Sequence, residues 1–209
     1  MKTALIVCGA LSAEVLALKQ KHGWNAQVFA LPALLHNSPD QIPPSVLHRI
    51  RKVRKDFDQI VVVYGDCGTG GQLDALLERE AVKRVRGPHC YEMYGHAVFE
   101  ELMEQEPGTF FLTDFLVNHF DRLVLEELGL DRFPQLREDY FAHYTRVVYL
   151  AQRSDPTLFA KAQQAAERLA LPLEIRHVGY GALESRLLEL INTDTGVSES
   201  SVGETLQLT

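Results

Sequence analysis

The sequence is short of three things: cysteine, positive charge and long apolar runs. Three cysteines among 209 residues, an odd number spread from Cys8 to Cys90, do not make the disulfide framework of a small secreted domain. Lys and Arg number 21 against 28 Asp and Glu, a formal charge of −7. That balance excludes a general polyanion binder, because nucleic-acid affinity is carried by clustered Lys and Arg that neutralise phosphates. No apolar run approaches the roughly 20 residues needed to span a bilayer. Met1-Lys2-Thr3 passes directly into Ala4-Leu5-Ile6-Val7-Cys8 without a signal-peptide cleavage site. The expectation is a cytoplasmic protein with neither nucleic acid nor membrane as partner.

What the chain does have is apolar residues, 46% of the total, enough to bury a core at this length. Short apolar runs at Ala4–Val7, Val28–Leu31, Ile60–Tyr64, Val82–Arg86, Thr109–Leu112, Arg146–Leu150 and Leu173–His177 read as strands. Helical stripes separate them. Val15 and Leu18 follow a possible cap at Ser12 and stop at Gly23; Val46, Ile50, Val53 and Phe57 recur from Ser45 onward. A helix is expected from Tyr91 to about Glu104, another with Leu158, Ala162, Ala165 and Leu169 inward, and a last one from Gly181. Strand and helix in alternation predict an α/β fold: Rossmann-like, a mostly parallel sheet of about six or seven strands with helices on both faces. Residues 1–191 form the single expected domain. Residues 192–209, acidic, without Lys or Arg and without apolar periodicity, read as a disordered tail.

In open α/β sheets ligands bind beyond the carboxyl ends of strands, where loops converge and helix N-termini present free N–H groups. Cys8, Cys67 and Cys90 each follow a predicted strand. If those strands are neighbours, three sulfurs meet at one edge, with His36 and His89 as imidazole candidates for a further position. Three thiolates suit zinc or a [4Fe–4S] cluster with one exchangeable position, not an oxygen-seeking ion. Against this stands the tendency of free cysteine to pack as a small buried hydrophobe. The loop Cys67-Gly68-Thr69-Gly70-Gly71 offers a second reading, an anion site of backbone amides with Gly68, Thr69 and Gly70 as contacts, and Asp114 is a further residue that could face a ligand. It matches neither G-x-G-x-x-G nor the P-loop, and glycines at a strand-to-helix turn also serve packing alone. Glu92 and His96, four apart, read as a solvated helix face, and Thr113 or Asp114 as a cap. The basic helix face from His48 to Lys55 is either a solvated face or a contact for an acidic partner or another copy.

Tyr64-Gly65-Asp66-Cys67-Gly68, Gly87-Pro88-His89-Cys90-Tyr91, Phe111-Leu112-Thr113-Asp114-Phe115-Leu116 and Tyr140-Phe141-Ala142-His143-Tyr144 occur in that order. On these motifs the chain resembles the bacterial and archaeal family catalogued as domain of unknown function 1638, over roughly residues 3 to 190. The resemblance carries no established activity or catalytic residue. It implies, by association with corrinoid-dependent methyltransferases of methylamine and betaine metabolism, a setting in one-carbon metabolism, with a methyltransferase or corrinoid protein as partner. One cysteine from each of several strand ends also looks like quinolinate synthase, where three cysteines hold a [4Fe–4S] cluster with an open iron. That likeness is architectural. The expected function is therefore a metal-binding protein, zinc or iron–sulfur, acting as an enzyme on a small polar substrate. The alternatives are a non-catalytic accessory handling a corrinoid or cluster, and a metal-free binder of an anionic ligand at residues 67–71.

Overall fold

The structure, a computed structural model, describes residues 1–192, so the expected tail lies outside the described residues from position 193 onward. The first half alternates β1 (Thr3–Cys8), α1 (Ser12–His22), β2 (Ala26–Leu31), α2 (Ile42–Val53), β3 (Gln59–Val63), α3 (Gln72–Arg79) and β4 (Lys83–Arg84). Then α4 (Cys90–Gly95) and α5 (Ala97–Gln105) lead to β5 (Thr109–Thr113), α6 (Asp114–Asn118), a π-helical turn at Asp121–Glu126 and α7 (Leu136–Tyr140). The chain closes with β6 (Arg146–Ala151), α8 (Pro156–Leu169), β7 (Leu173–His177) and α9 (Gly181–Asn192). All described strand pairs are parallel.

The seven strands do not share one sheet. They form a four-stranded sheet, order β2-β1-β3-β4, and a three-stranded sheet, order β5-β6-β7, which corrects the single sheet expected from the alternation. Apolar runs reveal strands but not their neighbours. The break falls at β4, whose two residues end the first ladder before β5 opens its own. Every residue of β1 is buried, as a central strand covered on both faces requires, and edge strand β7 is mostly exposed.

Each sheet has its own core. Val15 and Leu18 of α1, Val46 and Ile50 of α2, and Leu73 and Leu77 of α3 pack on the first sheet, together with Leu183 and Leu187 of α9. The last helix thus returns from the second sheet to the first. Leu158, Ala162, Ala165 and Leu169 of α8 cover the second sheet, as their spacing predicts.

Three local expectations change. Ser12 is no cap: a 3-10 turn at Gly9–Leu11 precedes α1, and the Ser12 hydroxyl donates back to the Gly9 carbonyl at 2.8 Å. The helix expected from Ser45 begins at Ile42, with Pro43 and Pro44 in its first turn, where proline lacks only an N–H that has no helical partner. The helix expected from Tyr91 to about Glu104 is broken at His96, whose φ of +40° and ψ of −115° lie outside helical geometry and separate α4 from α5.

Candidate functional site

Strand order 2-1-3-4 places a topological switch point between β1 and β3. From there the chain leaves toward opposite faces, and a crevice opens beyond the carboxyl ends. Val7 pairs with Val63, so the residues that follow, Cys8 and Tyr64, emerge side by side at that crevice. Cys67 lies three positions further along the β3 loop, and Cys90 opens α4 beyond β4. On the other flank Cys8 pairs with Leu31 of β2, and the 3-10 turn at Ala33–Asn37 brings in His36. The three cysteines and His36 thus follow strands or loops at the carboxyl edge of the first sheet.

Two glycines allow the loops to approach. A Cβ on Gly9 would stand 2.8 Å from the Leu31 carbonyl oxygen, and one on Gly65 would stand 2.8 Å from His89 Cα and 3.0 Å from Cys67 Sγ. The β3 and β4 loops are laced by two amides, Asp66 donating to the Gly87 carbonyl at 3.0 Å and Cys67 to the Pro88 carbonyl at 2.8 Å. Cys67 takes φ of +49°, a left-handed conformation that costs a non-glycine residue energy and is common at functional sites.

Cys8 is 2% exposed, and its Sγ stands 4.0 Å from His36 Nδ1. Burial pushes the Cys8 thiol up. Burial, then the proximity of Cys8, pushes Cys67 up to about 12. Cys90 is raised by burial and by both other cysteines, so the three sulfurs feel one another. His36 and His89 are both held below the usual histidine range, mainly by burial, and a neutral imidazole is the ligating form. Among the described residues no group of three His, Cys, Asp or Glu side chains stands ready as a metal cage. The thiols cluster without closing.

His89 is better explained as a cap. Its Nδ1 accepts the Glu92 amide at 3.4 Å, and its ring packs on Tyr91 and Phe99. The glycine loop is also self-contained. The Asp66 carboxylate accepts the Thr69 hydroxyl at 2.6 Å and the Gly70 and Gly71 amides at 3.1 and 2.8 Å, so these three donors are already partnered within the loop. Asp114 is no cap either: Thr113 takes that role, accepting from the Leu116 amide. Asp114, 1% exposed, accepts from the Tyr149 hydroxyl at 2.6 Å, the Gln152 amide at 3.0 Å and Arg153 Nε at 3.0 Å. Glu92 leaves the solvated face expected for it, because α9 carries Arg186 into a two-pronged ion pair with it at 2.6 and 2.7 Å.

Two buried polar residues are not marked out by the sequence, Tyr64 at the site and Glu14 in α1. Tyr64, fully buried beside Cys8, stacks on His36 with ring centroids 6.1 Å apart; its signal was its place directly after the strand. Glu14 is 4% exposed, with burial raising its carboxyl pKa and Oε2 without a hydrogen-bond partner. An acidic residue in a first helical turn gives no sign of this.

A family model described as a protein of unknown function (DUF1638) matches residues 30–187. The chain belongs to this family. All four motifs of the resemblance fall inside the matched span, whereas Cys8 lies before it. No match was found among the curated proteins or the solved structures.

In this DUF1638 protein a cleft of about 310 Å³ between the two sheets is lined by Cys90 and His36 of this edge, but not by Cys8 or Cys67. His36 and Cys90 stand on one wall with Ala33 and Leu34, and Phe115, Leu116 and Val124 stand on the other. Larger concavities, of about 650 and 680 Å³, are lined by many charged residues, and neither contains a cysteine. Among the described residues no helix is long and apolar enough to cross a membrane.

Proposed function

We propose that Cys8, Cys67 and Cys90 form a thiolate centre for zinc or a [4Fe–4S] cluster, and that the protein is an enzyme whose small substrate enters by the cleft between the sheets. The observation that carries this reading is the convergence of three cysteines from three separate strand ends, 59 and 23 positions apart, on the switch-point crevice of the first sheet. Their chemistry supports it. Close, buried thiols oppose one another's ionisation, and a bound cation reverses that opposition by stabilising thiolates. His36, neutral and 4.0 Å from Cys8, is the candidate fourth ligand or the group that orients Cys8. Capture of a metal requires the side chains to close from their present spacing. Zinc held by Cys8, Cys67 and Cys90 would supply Lewis-acid or thiol-activating chemistry, and a cluster held by them would supply an exchangeable iron position. The corrinoid-methyltransferase setting implied by the family resemblance is part of this proposal.

The test is elemental analysis with a visible spectrum on protein purified without oxygen, alongside Cys8→Ala, Cys67→Ala and Cys90→Ala. Stoichiometric zinc without colour, or iron with broad visible absorbance, lost in all three variants, is the expected result. Protein that holds neither metal, or loses it in one variant only, overturns the shared centre.

A further inference from the structure

The cleft of this proposed site carries no charge. From Ala10, Ala33 and Leu34 on the first sheet's side to Phe115, Leu116 and Leu128 on the second's, its lining holds not one Asp, Glu, Lys or Arg. The polar atoms it offers come from His36, Asn37, Cys90, Tyr91 and Thr113. We propose that the cleft binds a neutral small molecule with a largely apolar body, whose polar end lies toward His36 and Cys90. This deepens the reading of the thiol edge as a site, on which it rests, and it replaces the small polar substrate expected from the sequence.

Three observations carry it. A charged ligand entering here would leave water without meeting any charged side chain of the lining, a loss that apolar walls cannot offset. The volume of about 310 Å³ sits at the lower end of the range of small-molecule pockets, roughly 300 to 1,000 Å³. That is too small for a helix of a partner protein. Finally, Leu34 and Leu128, 43% and 37% exposed, face the opening from opposite sheets, and a bound apolar body would cover both. Asn37 reaches across beside them, its Nδ2 donating to Glu127 Oε2 at 3.3 Å, so the mouth is spanned by a polar contact while the interior stays apolar.

The probes are two dyes that differ by one group: N-phenyl-1-naphthylamine, which is neutral, and 1-anilinonaphthalene-8-sulfonate, the same body with a sulfonate. Each is titrated into the full chain and followed by fluorescence, and metal content is measured on the same samples. The neutral dye should saturate at one site, with the sulfonate binding about tenfold or more weaker. Leu116→Trp, which fills the cleft, should abolish neutral-dye binding. Leu34→Lys, a surface change that leaves the core untouched, should weaken the neutral dye and strengthen the sulfonate. Equal or tighter binding of the sulfonate to the unaltered protein overturns the proposal, as does neutral-dye binding indifferent to Leu34→Lys. Absence of saturable neutral-dye binding overturns it too, and self-association lost in Leu34→Lys would then assign the face to a second copy. Saturable neutral-dye binding by protein that, as purified without oxygen, holds neither zinc nor iron separates the two readings: the cleft then stands while the thiol centre falls.

Discussion

Gly65 is the residue on which the geometry of the thiol edge turns. A methyl group there would meet His89 Cα, the Pro88 carbonyl oxygen and Cys67 Sγ, all within 3.0 Å, and two of these three are backbone atoms that have nowhere to retreat. Gly65→Ala is expected to push the β3 and β4 loops apart, cutting metal content severely while the sheets, whose cores lie behind the loops, keep their circular dichroism. Unchanged metal content would show that the two loops need not touch. Cys67 permits a test without any substitution. Its pKa, raised to about 12 chiefly by burial, keeps it protonated through the neutral range, and the thiolate is the form that alkylates. At pH 8 its labelling by iodoacetamide in metal-free protein should be slower by on the order of a thousandfold than for an exposed cysteine of pKa near 8.5, and should rise about tenfold per pH unit. Mass spectrometry of the tryptic peptide reads the rate, and labelling as fast as in urea would mean that the thiol is not buried.

At the scale of elements, the connection from α4 to α9 is the most exacting. Arg186 grips both oxygens of Glu92 and also donates to the Arg86 carbonyl at 2.6 Å, tying the last helix to the loop that precedes Cys90. Arg186 beside it holds the Glu92 carboxyl below its usual pKa. A carboxylate with a depressed folded pKa contributes its stability in full above the unfolded value, here 4.5, and loses it as pH falls through that value and below. Glu92→Gln should therefore cost about 2–3 kcal/mol at pH 7 and less at pH 3, measured as urea midpoints at the two pH values. An equal cost at both would assign the effect to packing. His96, between α4 and α5, holds a backbone conformation that suits glycine. His96→Gly should stabilise by about 1 kcal/mol, raising Tm by about 2–4 °C at this chain length. A lower Tm would mean that the contact of its ring with Glu92, 3.3 Å away, outweighs the strain.

For the whole molecule, the lesson concerns what apolar spacing can and cannot say. The buried strands β1, β3, β5 and β6 were legible because buried parallel strands read as apolar runs, and the mostly exposed edge strand Leu173–His177 was also placed to the residue. The partition into two sheets was not, since nothing in a run records which run lies beside it. The same limit applies to the site: Cys8, Cys67 and Cys90 stood out as strand-end cysteines, but the switch point that gathers them depends on strand order, and the burial of Glu14 depends on surroundings brought by distant segments. The return of α9 is a third such long-range fact, and it has a mechanical consequence. Leu183 and Leu187, both fully buried, belong to the core of the first sheet although they follow the last strand of the second. Leu187→Ala should cost about 2–5 kcal/mol, and hydrogen exchange should place the lost protection in β1 and β3, some 120 residues or more upstream, before it appears in neighbouring β7. Protection lost first in β6 and β7 would mean that α9 stabilises the sheet it follows in the chain. Because β1 and β3 carry Cys8 and the Cys67 loop, the expected pattern also couples the end of the described chain to the thiol edge: loosening α9 should lower metal retention without touching any cysteine.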